Sequence, residues 1–99
     1  MVFVKTLETP MIRKQIMIVN KLGLHARAAA KFVSMASRFA SQIEVARDTK
    51  LVNGKSIMGV MMLGAGKGVN IELIIIGEDE QEALDALETL INHRFDEAE

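Results

Sequence analysis

Cysteine is absent from this 99-residue chain, which excludes disulfide frameworks, thiol nucleophiles and cysteine-bound zinc together. Its absence suits a reducing compartment. Aromatic residues number four, all of them phenylalanine, too few for a base-stacking platform. Long apolar runs are missing too. The longest, Leu73 to Ile76 with Ile71 just before it, falls far short of the roughly 20 residues of a spanning helix. Val2-Phe3-Val4 ahead of Lys5 is too short for a signal-peptide core. A cytoplasmic location without membrane insertion is the expectation. Neither sign of charge dominates: 12 basic against 13 acidic side chains leave a formal net charge of -1, which argues against nucleic acid as a partner. What the chain does have is 49% hydrophobic and 25% charged residues, the composition of one domain with a single modest core.

Residues 1–10 show no sustained period and end at the only proline, Pro10, directly before Met11. We read them as an N-terminal extension, disordered or non-native, ahead of a domain over 11–97. From Ile12 the pattern is strand-like, with Ile12, Ile16 and Ile18 on one parity and Arg13, Gln15, Met17 and Val19 on the other. Asn20-Lys21-Leu22-Gly23 breaks it. Ala26 to Ala40 reads as an amphipathic helix, and Gln42 to Arg47 as a half-buried strand. A turn at 48–50 leads into a return strand from Leu51, and Asn53-Gly54 exits toward a short helix opened by Ser56. Val69, Ile71, Leu73 and Ile75 mark one face of a further strand. Asp79 and Glu82 have capping-box spacing ahead of a last helix, which is striped by Ala83, Leu84, Leu87 and Ile91 and closed by His93-Arg94. The order βαββαβα predicts an α+β sandwich, with helices on one face of a four-stranded antiparallel sheet.

Chemistry concentrates at Gly23-Leu24-His25-Ala26-Arg27. A histidine stands between a glycine turn and a helix start, and imidazole near its ordinary pKa of about 6.5 can act as a nucleophile at neutral pH. The first four amides of a helix lack intrahelical partners and favour an anion. Ala26 and Ala28 to Ala30 bring no capping oxygen to occupy them. Arg27 adds a planar cation suited to phosphate oxygens. A nucleophile, free amides and an arginine together point to transient phosphohistidine chemistry. Against this stands a surface histidine that merely precedes a helix, and spacing alone leaves both open.

Two separated motifs resemble the HPr family, the histidine-containing phosphocarriers of the bacterial phosphotransferase system. They are Asn20-Lys21-Leu22-Gly23-Leu24-His25-Ala26-Arg27-Ala28-Ala29-Ala30 and Gly54-Lys55-Ser56-Ile57-Met58-Gly59-Val60-Met61-Met62-Leu63. The resemblance covers about residues 11 to 97 and implies the HPr-like open-faced sandwich. It implies that His25 accepts a phosphoryl group on Nδ1 from phospho-Enzyme I and passes it to a histidine of a IIA-type protein, with Arg27 contacting the phosphate and acidic partner residues. It also implies a regulatory phosphorylation at Ser56 by an HPr kinase, beside that serine's plain role as a helix cap. Many members carry proline after the arginine, where this chain has Ala28. The His-Ala-Arg-Ala-Ala-Ala form is similar to the nitrogen-related branch and to some proteobacterial sugar-type carriers.

Met58, Met61 and Met62 cannot all point inward from a short helix. Partner contacts are therefore expected at Ile57, Met58 and Met61, together with Ala26 and Lys31 near the histidine. Gly64-Ala65-Gly66-Lys67-Gly68 looks like a phosphate-binding loop, but Met61 stands where such a loop needs glycine and Gly68 where it needs a hydroxyl. His93 has no second ligand at metal spacing and reads as a helix-end residue; a carrier whose partner proteins supply the remaining catalytic groups needs no metal or cofactor of its own. The neutral total conceals two opposed halves: residues 1–55 carry ten basic and three acidic side chains, residues 56–99 two and ten. The basic half, with His25, Arg27, Lys31 and Lys55, is expected to face acidic proteins. A monomer presenting one face to successive partners is the expected state. The alternative is a non-catalytic regulatory module that binds partners through the methionine-rich helix.

Overall fold

Alternating apolar residues in four segments build a sheet in the computed structural model, which describes residues 11–99; the extension expected over residues 1–10 lies outside them. The strands are β1 (Ile12–Met17), β2 (Gln42–Arg47), β3 (Lys50–Asn53) and β4 (Asn70–Ile76), antiparallel in the order β1-β4-β2-β3. The register sets Ile16 against Ile71, and Val45 against both Leu73 and Val52. One face thus gathers Ile16, Ile43, Val45, Ile71, Leu73 and Ile75, all buried. The other carries polar pairs such as Arg13 and Glu72, whose charged groups meet at 2.9 Å.

Three helices cover the apolar face: α1 (Ala26–Ala36), α2 (Ile57–Met62) and α3 (Glu80–Asn92). Helix α1 buries Ala28, Ala29, Phe32 and Ala36, and α3 buries Ala83, Leu84, Leu87, Leu90 and Ile91. The small alanines let α1 pack closely against α2 and α3, and Phe32 is buried in the core beneath them. This is the α+β open-faced sandwich that the element order predicts. Gly54 allows the exit from β3, since a Cβ there would stand 2.7 Å from Ile43 Cγ2. Among the described residues, no helix is long and apolar enough to cross a membrane.

Three local expectations are corrected. Helix α1 ends at Ala36 rather than Ala40, because the amides of Ala40 and Ser41 are drawn to the Asp79 carboxylate at 2.8 and 2.9 Å. Asp79 is the N-cap of α3, yet its side chain bonds across the fold to that segment, so the capping box with Glu82 does not form. Glu80 instead accepts from the Gly77 amide at 3.0 Å. His93 ends α3 as its C-cap, as expected, but Arg94 belongs to a separate turn beyond it, where Arg94, Phe95 and Asp96 have φ of 58, 54 and 62°. Three consecutive left-handed residues without a glycine are strained. Burial of the whole Phe95 ring and a 2.7 Å bond from Lys31 Nζ to its carbonyl hold the turn in place.

Candidate functional site

The turn before α1 is fixed by Gly23, whose φ of +68° and backbone-to-backbone contact leave no room for a side chain. A Cβ there would lie 2.5 Å from Ala65 O and 2.6 Å from Gly66 Cα. The next amide, Leu24 N, donates to the same Ala65 carbonyl at 2.9 Å. His25 follows as the N-cap of α1, with φ -73° and ψ 178°, and its ring makes no capping bond. The first helical rung is Ala29 N to His25 O at 2.8 Å, so the amides of Ala26, Arg27 and Ala28 precede it in the partnerless first turn. That is the anion-receptive start expected from an alanine-rich opening.

His25 is about 29% exposed, and its Nε2 meets Glu97 Oε2 at 2.6 Å. Glu97 is 72 residues away in sequence and was not expected at the site. Its other oxygen accepts from Asn20 Nδ2 at 3.0 Å, and the same amide group donates to Gly23 O at 2.8 Å. Asn20 is fully buried, and its Oδ1 finds no partner among the described residues. Burial works against ionisation of Glu97 more strongly than any other single influence. The bonds from Asn20 and His25, with the attraction of His25 and Lys31, together outweigh it and hold the carboxyl below its ordinary value.

His25, Ala26 and Arg27 line one open cleft with Lys21, Leu22, Glu97, Ala98 and Glu99. Arg27 is exposed there. Lys21 is paired with Glu99 at 3.2 Å, so the acidic end of the chain folds back onto its basic half at the histidine. Lys31 stands one turn into α1, committed to the Phe95 carbonyl. Ser56, Ile57, Met58 and Met61 lie outside this cleft, on α2. The Ser56 hydroxyl accepts from Gly59 N at 3.0 Å as the helix cap. Only Val60 of that helix is buried, while Ile57, Met58, Met61 and Met62 are all exposed. Among the described residues, no cluster of three or more His, Asp or Glu could hold a metal.

Sequence reasoning missed Asn20 and Glu97. Asn20 was visible as a strand breaker and as the first residue of the motif around His25, with no role assigned, and Glu97 as one of several acids near the end of an acidic stretch.

Comparison with known proteins gives a consistent result. The PTS-HPr profile, described as the PTS HPr component phosphorylation site, matches residues 12–93. The phosphocarrier protein HPr of Pseudomonas aeruginosa is 62% identical over 86 residues, covering 86% of this chain and 96% of that protein. The crystal structure of HPr-C-His from Thermoanaerobacter tengcongensis superposes with a TM-score of 0.85 at 51% identity, covering 89% of this chain and 99% of that one. An HPr dimer from the same organism superposes at 0.71 with 55% identity, covering 83% and 94%.

Proposed function

Since the chain belongs to the HPr phosphocarrier family of the phosphotransferase system, we propose that His25 accepts a phosphoryl group from phospho-Enzyme I and passes it to a histidine of a IIA-type protein. The observation that carries this reading is the placement of His25 at the start of α1. Its Nε2 is engaged by Glu97, which leaves Nδ1 as the nitrogen with a lone pair to give, beside amides that have no helical partner. The lone pair attacks phosphorus, the N–P bond forms, and the donor's own P–N bond breaks with its electron pair returning to the donor. The reverse exchange delivers the group to the acceptor. Little covalent work falls to the protein, so positioning and charge stabilisation dominate, and the first-turn amides and the Arg27 guanidinium supply them.

The exposed apolar residues of α2 support docking through Ile57, Met58 and Met61. Ala26 and Lys31 would flank the same contact from α1. Ser56 at the head of α2 is the proposed target of an HPr kinase; phosphate there would place negative charge beside the docking residues. A Ser56→Ala chain that the kinase still phosphorylates fully would remove that site. The exposure of α2 also fits a regulatory module with an idle His25. Incubation with Enzyme I and phosphoenolpyruvate separates the two: an acid-labile phosphate on wild type, absent from His25→Ala, is the result expected of a carrier. Relative transfer rates to IIA proteins of the sugar and nitrogen-related systems then assign the branch, for which the Ala28 form favours the nitrogen-related one. Sedimentation during the same reaction tests the proposed monomer.

A further inference from the structure

The carboxylate against His25 has a direction that bears on the transfer, given the carrier reading above. We infer that Glu97 is a positioning residue for it, holding the Nε2 proton of His25 through both half-reactions so that Nδ1 alone trades the phosphoryl group.

The geometry is specific. Glu97 Oε2 lies 2.6 Å from Nε2, and Oε1 is occupied by the fully buried Asn20 amide at 3.0 Å, so the carboxylate cannot turn away without breaking a second bond. The strained turn at 94–96 delivers it, anchored by Phe95 in the core and by Lys31 on the Phe95 carbonyl. The two ring nitrogens of imidazole point their lone pairs apart. A carboxylate on Nδ1 would block attack; on Nε2 it leaves attack open.

The proton balance favours the same assignment. Neutral imidazole with hydrogen on Nε2 attacks through Nδ1, and the ring becomes positive as the N–P bond forms. The carboxylate at Nε2 stabilises that charge, much as a buried aspartate stabilises the imidazolium of a hydrolase triad. When the acceptor takes the group, the electron pair of the N–P bond returns to Nδ1 and the ring is neutral again with its Nε2 proton in place. No proton has to enter or leave. Free histidine already prefers the Nε2–H tautomer, so charge and orientation supply most of the benefit. The other charges around the ring are Arg27 and Lys31 from α1, Lys21 from the loop before it, and Glu99 after Glu97.

Glu97→Gln and Glu97→Ala in the full chain give opposite signatures. In Glu97→Gln the amide oxygen still takes the Asn20 bond, which turns the amide nitrogen toward Nε2 and forces the proton to Nδ1. In Glu97→Ala, water replaces the carboxylate and the tautomer stays. Nitrogen NMR of the isotope-labelled chain at about pH 8.5, well above an ordinary imidazole pKa, reads the tautomer without any partner. The expected result is an Nε2–H ring in wild type and Glu97→Ala, and an Nδ1–H ring in Glu97→Gln. Transfer from phospho-Enzyme I should fall about 10-fold in Glu97→Ala and more than 100-fold in Glu97→Gln. An unswitched tautomer in Glu97→Gln, equal losses in the two variants, or a faster variant each overturn the inference. A wild-type chain with the Nε2–H ring that takes no phosphoryl group overturns instead the carrier reading on which it rests.

Discussion

Replacing Gly23 by alanine puts the loop that carries His25 under two loads at once. The first is conformational: at φ +68° an L-residue pays about 1–2 kcal/mol that glycine does not. The second is steric, because the new Cβ would sit 2.5 Å from Ala65 O where ordinary contact begins at 3.4 Å. Both neighbours are backbone, so relief requires the two loops to separate, at about 1–3 kcal/mol for overpacking. Separation also stretches the 2.9 Å bond from Leu24 N to the same carbonyl. We expect a loss of about 2–5 kcal/mol, which lowers the melting temperature of a domain this size by roughly 10–40 °C. Gly66→Ala is the internal control: a Cβ there meets nothing within 4 Å and the backbone is not left-handed. It should be neutral or slightly stabilising. Calorimetry on the two variants decides the matter. Gly23→Ala melting within a few degrees of Gly66→Ala would refute the claim that backbone contact sets the histidine loop.

Phe95→Ala should destabilise the fold by about 3–5 kcal/mol, the usual cost of emptying a fully buried phenylalanine site, as read by urea denaturation. It should also release Glu97, so that the His25 ring signals move; unchanged ring signals would show that the turn does not deliver the carboxylate. Ser56→Ala removes the cap of α2 and should cost about 1 kcal/mol, with a cost near zero contradicting the capping role. Asp79 is held below its ordinary carboxyl value first by the Ser41 hydroxyl and then by the Ala40 amide. A lowered folded value means stability that is present above the ordinary 3.8 and is lost as pH falls through the folded value. The stability difference between wild type and Asp79→Asn should therefore be flat above about pH 5 and shrink below it. A difference that persists undiminished into strong acid would contradict this.

Period and punctuation carried the sheet: β2 at Gln42–Arg47 was readable to the residue because its alternation is local. The start of α1 was equally plain, since a glycine turn followed by alanines leaves few other readings. Its end was not, because the Asp79 carboxylate that unwinds it lies 38 residues from Ser41. The same contact defeated the capping box, as a side chain spends its bonds where the tertiary fold offers better ones. The left-handed turn at 94–96 is invisible to propensity; only burial of Phe95 keeps ordinary residues there. Glu97 was hidden for the same reason, since nothing in an acidic segment marks which carboxylate will reach a histidine. The opposed charge halves were legible, though not that they would meet at His25.

Phosphorus NMR of the chain after incubation with Enzyme I and phosphoenolpyruvate tests the central claim most directly. A single phosphoramidate signal from Nδ1 of His25 is expected, lost in His25→Ala and discharged when a IIA protein is added. No signal, or a phosphoryl group on Nε2, would contradict it.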